Sequence, residues 1–189
     1  MKRNLLVLGF VVALALNAGA QTYIDFSGMP FASVPTPMAN HPAAVSNLFW
    51  DNFLYVTPGM WHGAGPGFWV DPTTQHNTVL FIGGPWQSVA QGSIVMRVQQ
   101  PPNVSTFQPV SITLSSGWIP NGVVVTAYAN SRLVGTLTWN LTTTPAIHQF
   151  PATWTNITQL VFTAEPSVAN AVHPQPGSMV IYNFLLIER

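Results

Sequence analysis

The stretch GVVVTAYA-NS-RLVGTLTW (residues 122–139) decides the fold of this chain. Its two flanks are dominated by Val, Leu, Thr and aromatic residues, which are typical of β-strands. Asn130 and Ser131 lie between the flanks and form a polar connection of the length that joins antiparallel strands in a hairpin. We therefore predict that residues 122–129 pair with residues 132–139.

The same strand character extends outward in both directions. In VSITL (110–114), Val110, Ile112 and Leu114 alternate with Ser111 and Thr113, and we expect the three apolar residues on one buried side. Further strands are predicted at residues 22–26, 47–56, 78–82, 93–99, 157–163 and 178–187.

Proline and glycine separate these segments. The chain contains 17 Pro and 14 Gly, and no long stretch after residue 20 has the apolar periodicity of a helix. Long loops are predicted at residues 28–46, 58–77, 83–91 and 165–177. The pattern predicts an all-β protein, an antiparallel β-sandwich of jelly-roll type with very little helix.

The N-terminus has the features of an export signal. Lys2 and Arg3 precede an apolar run at residues 5–16, and Ala18-Gly19-Ala20 is a small-residue cleavage motif. The run is shorter than the roughly 20 apolar residues that span a bilayer. We predict a signal peptide at residues 1–20, a single domain at residues 21–189, no membrane span, and a secreted, extracellular or cell-surface protein.

Charge is scarce in the predicted mature chain, which has three arginines, five acidic residues and no lysine. A net charge of −2 without a basic stripe argues against binding to nucleic acid. The chain also has no cysteine, so packing and hydrogen bonds must stabilise it without disulfides. The sequons at Asn103, Asn140 and Asn156 matter only if the source glycosylates exported proteins.

Several segments together resemble a known group of domains. They are FQPVSITLSSGW (107–118), VVVTAYANSRLVGTLTW (123–139), FPATWTNITQLVF (150–162), YNFLLIE (182–188), YIDFSGMP (23–30) and LFWDNFLYV (48–56). The first four, in this order, are similar to the exported jelly-roll, galactose-binding-like β-sandwich domains of bacteria and fungi, and the last two look like the opening strands of such domains. The resemblance implies a non-catalytic sandwich, of a kind that often binds glycans or has no assigned role.

Relatives of this kind often hold a structural calcium ion where the first and last strands lie close together. Asp25 in the first strand and Asn183 in the last are the candidate metal ligands, and we expect these strands to be neighbours. The aspartate usual in the last strand is replaced here by Tyr182. Calcium prefers several carboxylates. We therefore expect no cofactor and an ordinary strand-edge or loop-capping role for Asp25, with a structural calcium ion as the alternative.

Aromatic residues in the Gly- and Pro-rich loops are candidates for binding polysaccharide or cell-wall glycan. Sugar rings stack on indole faces, and neighbouring polar groups bind the hydroxyls. The candidate ligand-binding residues are Trp61, His62, Trp69, Asp71, Gln75 and Trp86. Phe68 lies in the same stretch, and Trp50, Trp118, Trp139 and Trp154 are expected in the core.

Two other functions remain open. A hydrolase of extracellular polysaccharide would need a carboxylate pair or a site such as His62, His76 and Asp71. The sequence has no G-x-S-x-G or H-E-x-x-H motif, so we predict that it is not an enzyme. A self-associating structural protein is the other alternative, because a weakly charged surface and bare strand edges favour pairing between copies.

Overall fold

The structure, a computed structural model, describes residues 20–26, 28–38, 48–60, 65–68, 78–83, 91–96, 106–165 and 177–189. These residues contain strands β1 (Gln21–Asp25), β2 (Thr36–Pro37), β3 (Leu48–Asp51), β4 (Leu54–Val56), β5 (Val79–Gly83), β6 (Gln91–Met96), β7 (Phe107–Ser115), β8 (Asn121–Ala129), β9 (Arg132–Leu141), β10 (Ala146–Gln149), β11 (Gln159–Ala164) and β12 (Ser178–Glu188). A 3₁₀ turn at Pro58–Met60 follows β4, and no α-helix occurs in the described part of the chain.

The hairpin predicted from the sequence is confirmed. Strands β8 and β9 are antiparallel, and Ala129 opposite Arg132 is the last pair before the turn. The turn residues Asn130 and Ser131 have φ angles of 48° and 66°. Two consecutive positive φ angles are the signature of a type I′ turn, whose twist matches that of the flanking strands.

The last eight strands form a jelly roll. One sheet contains the order β5-β12-β7-β10, and the other contains β6-β11-β8-β9, with antiparallel neighbours throughout. The N-terminal strands extend this frame: β4 and β2 continue the first sheet beyond β5, and β3 continues the second beyond β6. Strand β1 pairs with β12 and completes a first sheet of seven strands. The second sheet has five strands. The predicted antiparallel β-sandwich is therefore confirmed.

The predicted single strand at residues 47–56 is wrong. Strand β3 pairs with β6 in the five-stranded sheet, whereas β4 pairs with β5 in the seven-stranded sheet. Asn52, with φ of 60°, lies between them and turns the chain from one sheet to the other. Two further strands were not predicted: β2 lies inside the expected loop at 28–46, and β10 follows β9.

Strand β7 also differs in detail from its predicted alternation. Ile112 and Leu114 are buried as expected, but Val110 is only half-buried. The pairing with β12 passes from Ser111 to Pro109, so Val110 is an extra residue in a β-bulge. A bulge reverses the alternation of side chains along a strand, and Phe107 and Pro109 are buried in consequence.

Aromatic rings fill the core between the sheets. Trp50 contacts Phe26 and Phe53 edge-on, each with 5.5 Å between ring centroids. Trp50 and Trp154 are buried, as predicted, and Trp139 packs half-buried against the same core. Trp118 is half-buried but packs elsewhere, on the outward face of the seven-stranded sheet.

A second apolar cluster covers one end of that outward face. We call it the covered end; it consists of buried Val56, Phe68, Val79, Phe81 and Val180, with Leu54, Trp118 and Tyr182 packed at its margin. The ring of Phe68 contacts Phe81 and Trp118 at centroid distances of 5.3 and 5.0 Å. Strand β5 is consequently buried on both faces, like the central strands of a covered sheet.

Candidate functional site

The predicted loop site lies outside the described residues. This applies to Trp61, His62, Trp69, Asp71, Gln75 and Trp86, whose role in binding stays a prediction. Phe68, the aromatic residue beside Trp69, is described, and it is a core residue of the covered end with 4% exposure. The composition of a Gly- and Pro-rich loop therefore does not by itself place an aromatic ring at the surface.

The predicted closeness of the first and last strands is confirmed. Strand β1 pairs with β12 along its whole length, with Asp25 directly opposite Asn183 and Tyr23 opposite Leu185. The Oδ1 atom of Asn183 accepts a hydrogen bond of 2.7 Å from the Oγ1 atom of Thr113 on β7. Three strands thus position this pair of polar residues.

The calcium site stays a prediction. Calcium takes about six to eight oxygen ligands and favours clustered carboxylates. No group of three or more His, Cys, Asp or Glu side chains occurs in the described ranges. The side-chain oxygen of Asn183 accepts the hydrogen bond from Thr113, and Asp25 and Asn183 are also neighbouring polar groups on a sheet surface.

A β-bulge at Tyr182 divides the outward face of the seven-stranded sheet. Ile181 pairs with Leu114 and Asn183 pairs with Thr113, so Tyr182 is an extra residue in β12. A bulge of this kind re-aims side chains. Tyr182 packs into the covered end, whereas Asn183 lies on the part of the face that the second cluster leaves uncovered.

We call this uncovered part the open end. It extends across β10, β7, β12 and β1, and directly opposite residues share a face of a sheet. Its first row is Ile147, Thr113, Asn183 and Asp25, and its second row is Gln149, Ser111, Leu185 and Tyr23.

Tyr23 is the prominent side chain of the open end. It is 61% exposed, while its neighbours in the chain, Thr22 and Ile24, point the other way and Ile24 is buried. Asp25, two residues along the same strand face, is exposed, and Leu185 lies directly opposite Tyr23. An exposed ring beside a carboxylate and an amide can stack on an apolar face and bind hydroxyl groups at its edge.

Hydrogen bonds fix the border between the two ends. The Oγ atom of Ser115 donates to the carbonyl oxygen of Gly67 at 2.5 Å and lies 3.0 Å from the hydroxyl of Tyr182. A Cβ atom on Gly67 would lie 1.5 Å from the carbonyl oxygen of Ser116, so only glycine permits this close approach. The turn at residues 65–68 is thereby held against the sheet.

The comparisons with known proteins do not identify a family. No protein-family model matches the chain, and no curated protein sequence matches it. A solved structure described as "CBM4 structure and function" covers 82% of this chain and 95% of its own, at 12% identity and a TM-score of 0.33. This score is too low to support an argument about family or ligand.

Within the described ranges, the structure contains no apolar helix of the length that a membrane crossing needs.

Sequence reasoning placed Tyr23 on the first strand but did not single it out as a binding residue. The signal was present, because Ile24 and Phe26 are apolar and alternate with Tyr23 and Asp25. The sequence does not show the register of β1 against β12, which places Asp25 directly opposite Asn183.

Proposed function

We propose that this protein is an exported, non-catalytic glycan-binding module, and that the open end is a contact surface for the glycan. The supporting observation is the exposed ring of Tyr23 on the same face as Asp25 and Asn183. In this proposal the Tyr23 ring stacks on the apolar face of a sugar, and the two polar side chains bind its hydroxyl groups.

The chemistry of the open end suits a neutral ligand. Stacking and hydrogen bonding need little charge, and the predicted mature chain is almost free of charged side chains. Asn183 is oriented by Thr113, and no other side-chain hydrogen bond of Asn183 is found within the described ranges. Its amide N–H groups are available to a hydroxyl, and a side chain held in place beforehand loses less entropy on binding.

The loop aromatics are proposed as a second part of the same site. Trp61 and Trp69 flank the turn at residues 65–68, which is docked on this face of the sheet next to Tyr182. Loops carry binding residues on many sandwich scaffolds. Rings on these flanking segments would extend a site that begins at Tyr23.

The experiment is a glycan-array screen of the exported protein, followed by titration of the best oligosaccharide with three variants. Tyr23→Ala removes the ring of the open end, and Trp69→Ala removes a loop ring. Phe31→Ala is the matched control. Phe31 is as exposed as Tyr23, at 64%, but it lies outside the strands of the open end: the next residue, Ala32, is hydrogen-bonded to Thr57, which follows β4.

The proposal expects Tyr23→Ala to weaken binding by roughly 2 kcal/mol, as stacking aromatics at the centre of an interface do, and Phe31→Ala to have no effect. Loss of binding in Trp69→Ala alone would move the site to the loops. An array without any bound glycan contradicts the proposed function.

A further inference from the structure

Strand β9 is an edge strand of unusual length. It has ten residues and is the last strand of the five-stranded sheet, where it pairs with β8 alone among the described strands. The other edge strands of the described sheets are shorter: β1 has five residues, β3 and β10 have four each, and β2 has two. An unpaired edge exposes a row of backbone N–H and C=O groups that can pair with another strand.

The usual protection of an edge strand is weak here. Natural edges are often interrupted by lysine, proline or bulges. Strand β9 has no lysine and no proline, and its charge is limited to Arg132 at its first position. Its register with β8 is irregular only near Val134, so residues 135–141 are regularly paired. Leu133 and Val134 beside them are 58% and 39% exposed.

We propose that two copies of this chain pair through β9, antiparallel about a two-fold axis, and form one continuous ten-stranded sheet. The alternation of side chains restricts the register, because directly opposite residues must lie on the same face. Leu137 and Trp139 pack on the inner side, and Thr136 and Thr138 are exposed on the outer side.

The register centred on Leu137 is self-complementary. Leu137 meets its own copy, and Thr136 lies opposite Thr138 of the second copy. Trp139 of one copy lies opposite Gly135 of the other, whose inner side is already covered by the Trp154 indole. Thr136 already lies next to a threonine in its own sheet, with its hydroxyl 3.5 Å from that of Thr126. Isologous contacts of this kind close a dimer, because the β9 edge is used up in the pair and cannot take a third copy.

Electrostatics do not oppose a second copy as the occupant. In this register Arg132 lies opposite Thr142, so the two Arg132 side chains are at opposite ends of the interface. Ten residues of strand separate them by roughly 34 Å, several times the screening length of about 8 Å at physiological salt. The copies therefore meet without charge repulsion at β9.

The first experiment measures the mass of the exported protein by sedimentation over a wide dilution series. The proposal expects a monomer–dimer equilibrium, which Thr138→Lys should weaken by about tenfold or more, because Lys at an edge position disfavours strand pairing. Thr163→Lys is the matched control: Thr163 is an exposed threonine on the same sheet face, but on β11, two strands from the edge. It should leave the dimer unchanged.

A second experiment tests the register. The natural chain has no cysteine, so Leu137→Cys introduces a thiol that can form a disulfide only with another copy. We expect oxidation to give a covalent dimer, while Thr163→Cys stays monomeric under denaturing conditions. The proposal is overturned if the wild-type protein is monomeric at all concentrations. This holds also if its β9 edge binds an added β-strand peptide instead of a second copy. Cross-linking of both variants to the same extent overturns the register.

Discussion

The covered end and the open end lie on the same face of the same sheet and share strand β12, yet their residues have different environments. Val180, at the covered end, is fully buried in the same cluster as Phe68, whereas Leu185, at the open end, is half-buried beside an exposed tyrosine. The cause is a docked turn that covers only one end. One sheet face can therefore supply stability at one end and a ligand surface at the other.

Phe68→Ala should have the largest effect on stability. The ring lies between Phe81 and Trp118 and is almost completely buried. Truncating a buried Phe costs about 3–5 kcal/mol, which denaturant titration would measure as a lower free energy of unfolding. Phe31→Ala, at an exposed position, should stay within about 0.5 kcal/mol of wild type. Equal losses in both variants would mean that the covered end is not a core.

Asn183→Leu should weaken glycan binding and change the free energy of unfolding only slightly. The change keeps the approximate volume but removes the amide, so binding of the array-identified glycan should weaken by about 1–3 kcal/mol. The free energy of unfolding should change by about 1 kcal/mol or less, because the hydrogen bond from Thr113 is only part-buried.

Gln159→Leu is the matched control for Asn183→Leu. Gln159 is a half-buried amide on the outward-facing side of β11 in the other sheet, and its replacement should leave glycan binding unchanged. If Gln159→Leu weakens glycan binding, or if Asn183→Leu leaves it unchanged, the open end is not the ligand-binding surface.

Tyr182→Phe tests the border between the two ends. The hydroxyl lies within hydrogen-bonding distance of Ser115 and bonds to the carbonyl of Gly67. Its loss should lower the free energy of unfolding by about 1 kcal/mol, the usual net value of one hydrogen bond, with glycan affinity unchanged. A change in affinity without a change in stability would show that Tyr182 belongs to the open end.

The smallest effect concerns pH and the inner side of β10. His148 packs against Trp139 with 4.9 Å between ring centroids, and burial lowers its pKa below 6.5. The folded state thus favours neutral His148, so its contribution is complete above the unfolded pKa and is lost as pH falls through 6.5 toward the folded pKa. Melting temperatures of His148→Gln and wild type should converge on acidification. A constant difference would show that His148 does not titrate in this range.

The parts of the fold that follow local patterns could be predicted from the sequence. The β8–β9 hairpin follows from two strand-forming segments and Asn130-Ser131. The pairing of the first and last strands is not a local pattern, and it was expected from the resemblance to jelly-roll domains. The break at Asn52 could not, because one residue with positive φ interrupts a segment whose composition is strand-like on both sides.

The site was harder to predict than the fold because it depends on pairing between distant segments. The bulge at Tyr182 sends two consecutive residues to one face, and neither residue type indicates a bulge. Whether Phe68 is exposed depends on the docking of residues 65–68 against Ser115 and its neighbours. The role of the remaining loop aromatics stays a prediction.

The most direct test maps the bound glycan onto the protein by amide chemical shifts, with the oligosaccharide that the array identifies. The proposed site predicts that the large shifts fall on Tyr23, Asp25, Thr113, Asn183 and Leu185, and that Val79, Phe81 and Val180 of the covered end stay unchanged. Shifts confined to the outward face of β8, β9 and β11, with none at the open end, would contradict it.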